Sequence, residues 1–121
     1  MAVKTILLVD DSPTERKMML QALQGKGYNL VSASDGEEAL EKVAQQKPDL
    51  VLLDIILPRK NGFQVCRQLK TSPETQDIKV ILISSKTQDT DRFWGLKQGA
   101  DEYLYKPVSA EALQASVARY A

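Results

Sequence analysis

The sequence predicts an α/β domain: a parallel sheet with helices on both faces. Three observations predict it. Short apolar runs alternate along the whole chain with stretches in which apolar residues recur at helical spacing. The run at residues 48–58, PDLVLLDIILP, is apolar at consecutive positions, as a central strand covered on both faces requires. The links between runs are short, which makes the crossovers right-handed and the strands parallel. Five strands alternating with five helices result.

The 121 residues, 43% of them hydrophobic, suit one compact domain spanning residues 1–121. No repeat, low-complexity tract or linker divides it. Sixteen basic and sixteen acidic residues leave no net charge, so nothing draws the chain globally to nucleic acid or to an anionic membrane. With no histidine and a single cysteine, Cys66, a histidine-assisted nucleophile, an internal disulfide and a cysteine-rich metal site are all excluded. No apolar run is long enough to span a bilayer, and the opening MAVKTILLVDD lacks a secretory pattern, so a cytoplasmic protein without membrane insertion is expected.

The first strand, residues 4–9, leads into Ser12-Pro13-Thr14-Glu15, which joins a capping box to a proline at the first helical position. Met18, Met19, Ala22 and Leu23 form one stripe of the first helix, with both methionines read as packing residues. Gly25 and Gly27 stop it, Gly27 in the left-handed conformation. A strand at 28–33 and the turn Ser34-Asp35-Gly36 precede a second helix, faced by Ala39, Leu40, Val43 and Ala44 and ended by Lys47-Pro48. After the central strand, Asn61-Gly62 reads as a turn that tolerates positive φ. A third helix carries Phe63, Val65, Cys66 and Leu69, and residues 70–77 read as an exposed connection. The fourth strand ends at Ser84. The fourth helix, starting in or after residues 85–89, holds Phe93, Trp94 and Leu96, which suit either a partner surface or ordinary packing. A short strand at 103–105 and a last helix, capped by Ser109 and striped by Leu113, Val117 and Tyr120, complete the chain.

Parallel strands bring their carboxyl ends to one rim, where open α/β sheets place their chemistry. Here those ends carry Asp10 and Asp11, Asp54, Ser84, and Lys106-Pro107. Clustered carboxylates repel one another unless a cation intervenes. Magnesium suits a sparse oxygen site, with Asp11 and Asp54 as direct ligands, Asp10 direct or through water, and the backbone carbonyl of Ile56 as a further candidate. Asp54, alone on the central strand, is placed to act as a nucleophile toward a phosphoryl group, with Lys106 pairing that group and Ser84 hydrogen-bonding it.

These residues carry a resemblance. VDDS at 9–12, LLDIILPRKNG at 52–62, Ser84 after its strand and GADEYLYKP at 99–107 resemble the receiver domain of two-component response regulators, over essentially the whole chain. The resemblance implies a flavodoxin-like sheet in the order 2-1-3-4-5. It also implies that Asp54 accepts a phosphoryl group from a histidine kinase, that Asp10 and Asp11 serve magnesium, that Ser84 is the switch hydroxyl, and that Tyr103 is the switch aromatic. The helix 4–strand 5–helix 5 face would then change its binding to a downstream signalling or motility protein. Ser85 and Leu57 depart from the family's usual small residue and methionine, and neither departure removes a catalytic group. DDSPTE at 10–15 and residues 84–108 further resemble the small stand-alone receivers of type IV pilus, or twitching-motility, systems. Within them Trp94-Gly95 reads as a bulky side chain filling a gap beside a glycine that permits close approach. Ile56 and Lys86 flank the pocket without a carboxylate to position water, so slow hydrolysis is expected, and a monomer is expected before phosphorylation. A magnesium-dependent phosphohydrolase, a flavodoxin-like electron carrier and a non-phosphorylated pseudo-receiver are the rival readings.

Overall fold

The computed structural model describes residues 4–85 and 89–120. Strand and helix alternate as β1 (Thr5–Val9), α1 (Pro13–Leu23), β2 (Asn29–Ala33), α2 (Gly36–Gln46), β3 (Leu50–Asp54), α3 (Gly62–Thr71), β4 (Lys79–Ser84), α4 (Asp89–Lys97), β5 (Glu102–Tyr105) and α5 (Ala110–Ala118). The five strands pair in parallel in the order β2-β1-β3-β4-β5, as the resemblance implies. Among the described residues no helix is long and apolar enough to cross a membrane.

The period of two along each strand explains why the runs are apolar at every position. Leu7, Val9, Val51, Leu53, Val80 and Leu82 point into a core closed by residues of α2 and α3, such as Val43 and Leu69. Ile6, Leu8, Leu50, Leu52, Ile81 and Ile83 point into the opposite core, closed by Leu23 of α1 and by Leu113 and Val117 of α5. All five residues of β3 are buried, which identifies it as the central strand.

Two carboxylates at the amino edge of the sheet hold the register that the rim depends on. Asp49, just before β3, accepts hydrogen bonds from the amides of Lys4 and Thr5, both at 2.9 Å. Asp101, just before β5, accepts from the amide of Val80 at 2.8 Å and from the Lys70 ammonium at 2.9 Å. With that register set, Val9 lies beside Leu53, Asp54 beside Ile83 and Ser84 beside Tyr105, so the residues that leave the strands emerge in step.

Several local expectations are corrected. The third helix runs on to Thr71, and Lys70 is a half-buried tether to Asp101 and to the carbonyl of Ile78, at 2.7 Å, rather than part of an exposed connection. Asn61 is a helix cap with φ −75°, in a reciprocal capping box with Gln64. The positive φ in that loop belongs to Arg59, at 69°. Gly62 is required for space: a Cβ there would meet the Asp54 carbonyl at 2.3 Å. Met19 packs into the α1–α5 core, but Met18 is 60% exposed, because a stripe wide enough for both exceeds what α5 covers. The left-handed position at the helix end is Gly25, with φ 77°, directly after the cap Gln24, rather than Gly27, which takes φ 90° in the turn that leads to β2.

The hydrogen bonds from Thr5 and Lys4 hold the Asp49 carboxyl below its ordinary value of 3.8. A depressed folded-state pKa contributes stability above the unfolded value that is lost as pH falls through the folded one. Asp49→Asn should therefore cost about 1 kcal/mol near neutrality by urea unfolding, from the loss of charge-assisted hydrogen bonds. The gap to the native chain should narrow as the pH drops below the ordinary aspartate value.

Candidate functional site

Four chain segments meet at the carboxyl rim. Asp10 follows β1 directly and is 1% exposed. Its Oδ1 accepts the amide of Ser12 at 2.9 Å and its carbonyl accepts the Arg16 guanidinium at 2.6 Å, which fixes both carboxylate and turn. Asp54 ends β3 and is 6% exposed, and its Oδ1 accepts the amide of Ile56 at 3.3 Å. Lys106 follows β5, anchored by its amide on the Ser84 carbonyl at 2.8 Å and joined to Pro107 by a cis peptide bond. Its ammonium lies 3.0 Å from Asp10 Oδ2 and 3.0 Å from Asp54 Oδ2.

A third carboxylate joins them. Glu15, in the first turn of α1, forms an ion pair with the same ammonium. The sequence assigned Glu15 to the reciprocal half of a capping box. Ser12 does cap α1, its Oγ accepting the Glu15 amide at 3.3 Å. But the Ser12 amide is taken by Asp10, and the Glu15 side chain turns to the stronger charge partner at the rim. The signal was present: the helix cap lies two residues beyond Asp10, so the first turn of α1 stands at the rim.

Burial raises the Asp54 pKa, with Lys106 opposing it and the neighbouring charge of Asp10 adding to the rise. For Lys106 burial works against the ammonium, but hydrogen bonds to Glu15, Asp10 and Asp54 outweigh it and raise the pKa. Lys106 therefore stays charged at neutral pH. It faces three carboxylates, a surplus of negative groups that a second cation would relieve. Oxygens of Asp10, Glu15 and Asp54 all lie within 4.8 Å of one another, and an all-oxygen set of this kind fits a hard divalent ion such as magnesium.

Not every residue picked from the sequence joins that cluster. Asp11 is exposed and stands outside the group of three carboxylates. The Ile56 side chain is exposed too, and its amide is the part that meets Asp54. Lys86 lies outside the described residues. Ser84 is fully buried at the end of β4, and Tyr103 is buried on the neighbouring strand, paired with Leu82. Burial raises the Tyr103 phenol, and the nearby Ser84 hydroxyl partly offsets the rise. A cavity of about 490 Å³ opens next to Lys106 between α1 and α5, lined by Met18, Met19, Ala22 and Leu113.

The profile of the response regulator receiver domain matches residues 6–118. The chain belongs to the response regulator receiver domain family. The receiver is 46% identical over 108 residues to Protein PilH of Pseudomonas aeruginosa, covering 89% of each chain. It superposes with a TM-score of 0.92 on a putative response regulator from Chloroflexus aurantiacus, at 30% identity over 98% of this chain and 97% of that one. With the chemotaxis response regulator CheY4 of Vibrio cholerae the TM-score is 0.91, at 28% identity over 99% and 100% of the two chains. Against several curated regulators matched at 39% identity, the receiver spans about half of their length.

Because Lys106 compensates three carboxylates, Lys106→Met should destabilise the metal-free receiver by roughly 2 kcal/mol, less than a fully buried pair would cost. Urea unfolding of the double-mutant cycle should show a smaller loss when Asp54 is already Asn, since one of the carboxylates left uncompensated is then gone.

Proposed function

We propose that this receiver is a phosphorylation switch in which Asp54 accepts a phosphoryl group from a histidine kinase. One observation carries the reading: Asp54 is a buried carboxylate at the end of the central strand, with one oxygen held by the Ile56 amide and the other by the Lys106 ammonium. Such a carboxylate is held in one orientation for attack, with the Lys106 cation opposing the rise in proton affinity that burial causes.

In the transfer, an Asp54 oxygen forms the new O–P bond while the P–N bond of the donor phosphohistidine breaks, and the departing imidazole takes up a proton. Magnesium, when bound, would neutralise the phosphoryl oxygens. Asp10 and Asp54 would hold it with Asp11 and the Ile56 carbonyl, and Glu15 is a further oxygen donor of the same cluster. Lys106 would leave the Asp54 oxygen for the phosphoryl group, to which it brings the same charge. The Ser84 hydroxyl would turn toward that group.

The phosphoryl group adds about 1.5 to 2 negative charges beside two segments that flank α4. Supporting an output through the α4–β5–α5 face are Phe93 and Trp94, which α4 leaves 56% and 57% exposed, and Tyr105, exposed on β5. The similarity to Protein PilH supports a partner in pilus-related motility signalling, and we place the receiver in the cytoplasm as a monomer before phosphorylation. No carboxylate or amide side chain stands at Ile56 to position an attacking water, so the phosphoryl group should persist for minutes or longer.

Intact-mass analysis after incubation with acetyl phosphate tests the assignment. A single phosphoryl adduct that requires magnesium and is lost in Asp54→Asn is the expected result. An adduct that survives in Asp54→Asn would overturn the choice of Asp54. Steady turnover of an external phosphate ester would favour a phosphohydrolase, and loss of the adduct within a few seconds would contradict slow hydrolysis.

A further inference from the structure

We propose that Gly95 is the positioning residue through which Tyr103 sets the seat of α4. The role rests on the switch reading of Ser84 and Tyr103 and adds to it the contact by which the tyrosine reaches the partner face. Among the residues of α4 whose burial is described, Gly95 is the buried one, and its neighbours Phe93, Trp94 and Leu96 are all exposed. A Cβ built there would stand 2.8 Å from the Cδ1 of Leu82 and 2.9 Å from the Cδ2 of Tyr103, with the Tyr103 Cε2 at 3.3 Å. The ring therefore lies where a side chain of α4 would otherwise be, and α4 approaches the sheet only because residue 95 has none.

Three facts join here. Tyr103 is buried beside its strand partner Leu82, two residues before Ser84, where β4 leads toward α4. The ring fills the space under Gly95, so α4 rests on the ring's edge. Trp94 is adjacent in the chain and 57% exposed, edge-on to Phe93 with ring centroids 6.3 Å apart. A ring that moves changes the support under Gly95, and α4 carries its aromatic pair with it. Trp94 does not fill a gap beside the glycine, as the sequence suggested; it faces solvent while the glycine admits Tyr103. Alanine is the better helix former, so glycine at this interior position is explained by the contact beneath it and not by local propensity.

Trp94 is the only tryptophan, so its fluorescence reports α4 directly. Acrylamide quenching is measured on the native receiver, Gly95→Ala, Tyr103→Ala and the double variant, all unphosphorylated and all checked for folding by circular dichroism. Gly95→Ala should change the quenching of Trp94, and removing the Tyr103 ring should abolish more than half of that change, because Leu82 can turn its methyl into the vacated space. An equal change in both backgrounds, or none in Gly95→Ala, overturns the proposal. Should a variant fail to fold, the native chain still decides it: nuclear Overhauser contacts between the Gly95 Hα and Tyr103 ring protons are expected, and their absence overturns it. The cycle needs no phosphoryl group, so its failure would leave the assignment of Asp54 intact, and failure of phosphorylation would leave the Gly95 contact standing.

Discussion

One ammonium shared by three carboxylates is the interaction on which the rest of this receiver depends. Lys106 comes from the end of β5, Asp54 from β3, Asp10 from β1 and Glu15 from the first turn of α1. Strands that are far apart in sequence are pinned at one point. The point exists only because the parallel register delivers each strand end to the same height. The arrangement is balanced rather than saturated: one positive charge holds the cluster together, and the remaining negative charge invites a divalent cation. Three carboxylates against one ammonium leave two negative charges, which a divalent cation neutralises, and a phosphoryl group adds negative charge again, so the site is responsive to both.

The proposed switch gives this rim a route to a surface. Lys106 is bound through its amide to the Ser84 carbonyl, which ties the lysine to the proposed switch hydroxyl across β4 and β5. Tyr103 lies on the strand beside Ser84, two residues before Tyr105, the strand partner of Ser84, and its ring lies under α4 at Gly95. Packed interiors rearrange between discrete states more readily than they deform. On the proposed reading, a change at Ser84 would pass to the Tyr103 ring and to the space that Gly95 leaves beneath α4.

Most of the fold was legible in the sequence, and for a physical reason. A strand buried on both faces must be apolar at every position, as residues 50–54 are, and short links leave little choice of topology. Asp10, Asp54, Ser84 and Lys106 were legible because each follows directly on such a run. What escaped was decided by side chains that had two possible partners. Glu15 suited a capping box and was drawn instead to Lys106; Lys70 suited a solvated surface and was drawn to Asp101. Asn61-Gly62 had the composition of a left-handed turn, yet Asn61 caps α3 and the glycine yields space to the Asp54 carbonyl. Local propensity cannot arbitrate such cases, because the winning partner arrives from a distant part of the chain. Asp11 is exposed and lies outside the three-carboxylate group, and its part in holding a cation belongs to the proposed function.

The central claim is that a phosphoryl group at Asp54 is sensed through Ser84 and Lys106 and felt at α4 and β5. Amide chemical shifts of the receiver titrated with beryllium fluoride and magnesium, a stable mimic of the phosphoryl group, test it most directly. Saturable changes are expected at Asp10, Asp54, Ser84 and Lys106 that extend through Tyr103 to residues 93–97. Changes confined to the loops around Asp54, with Tyr103 and α4 unmoved at saturation, would contradict it.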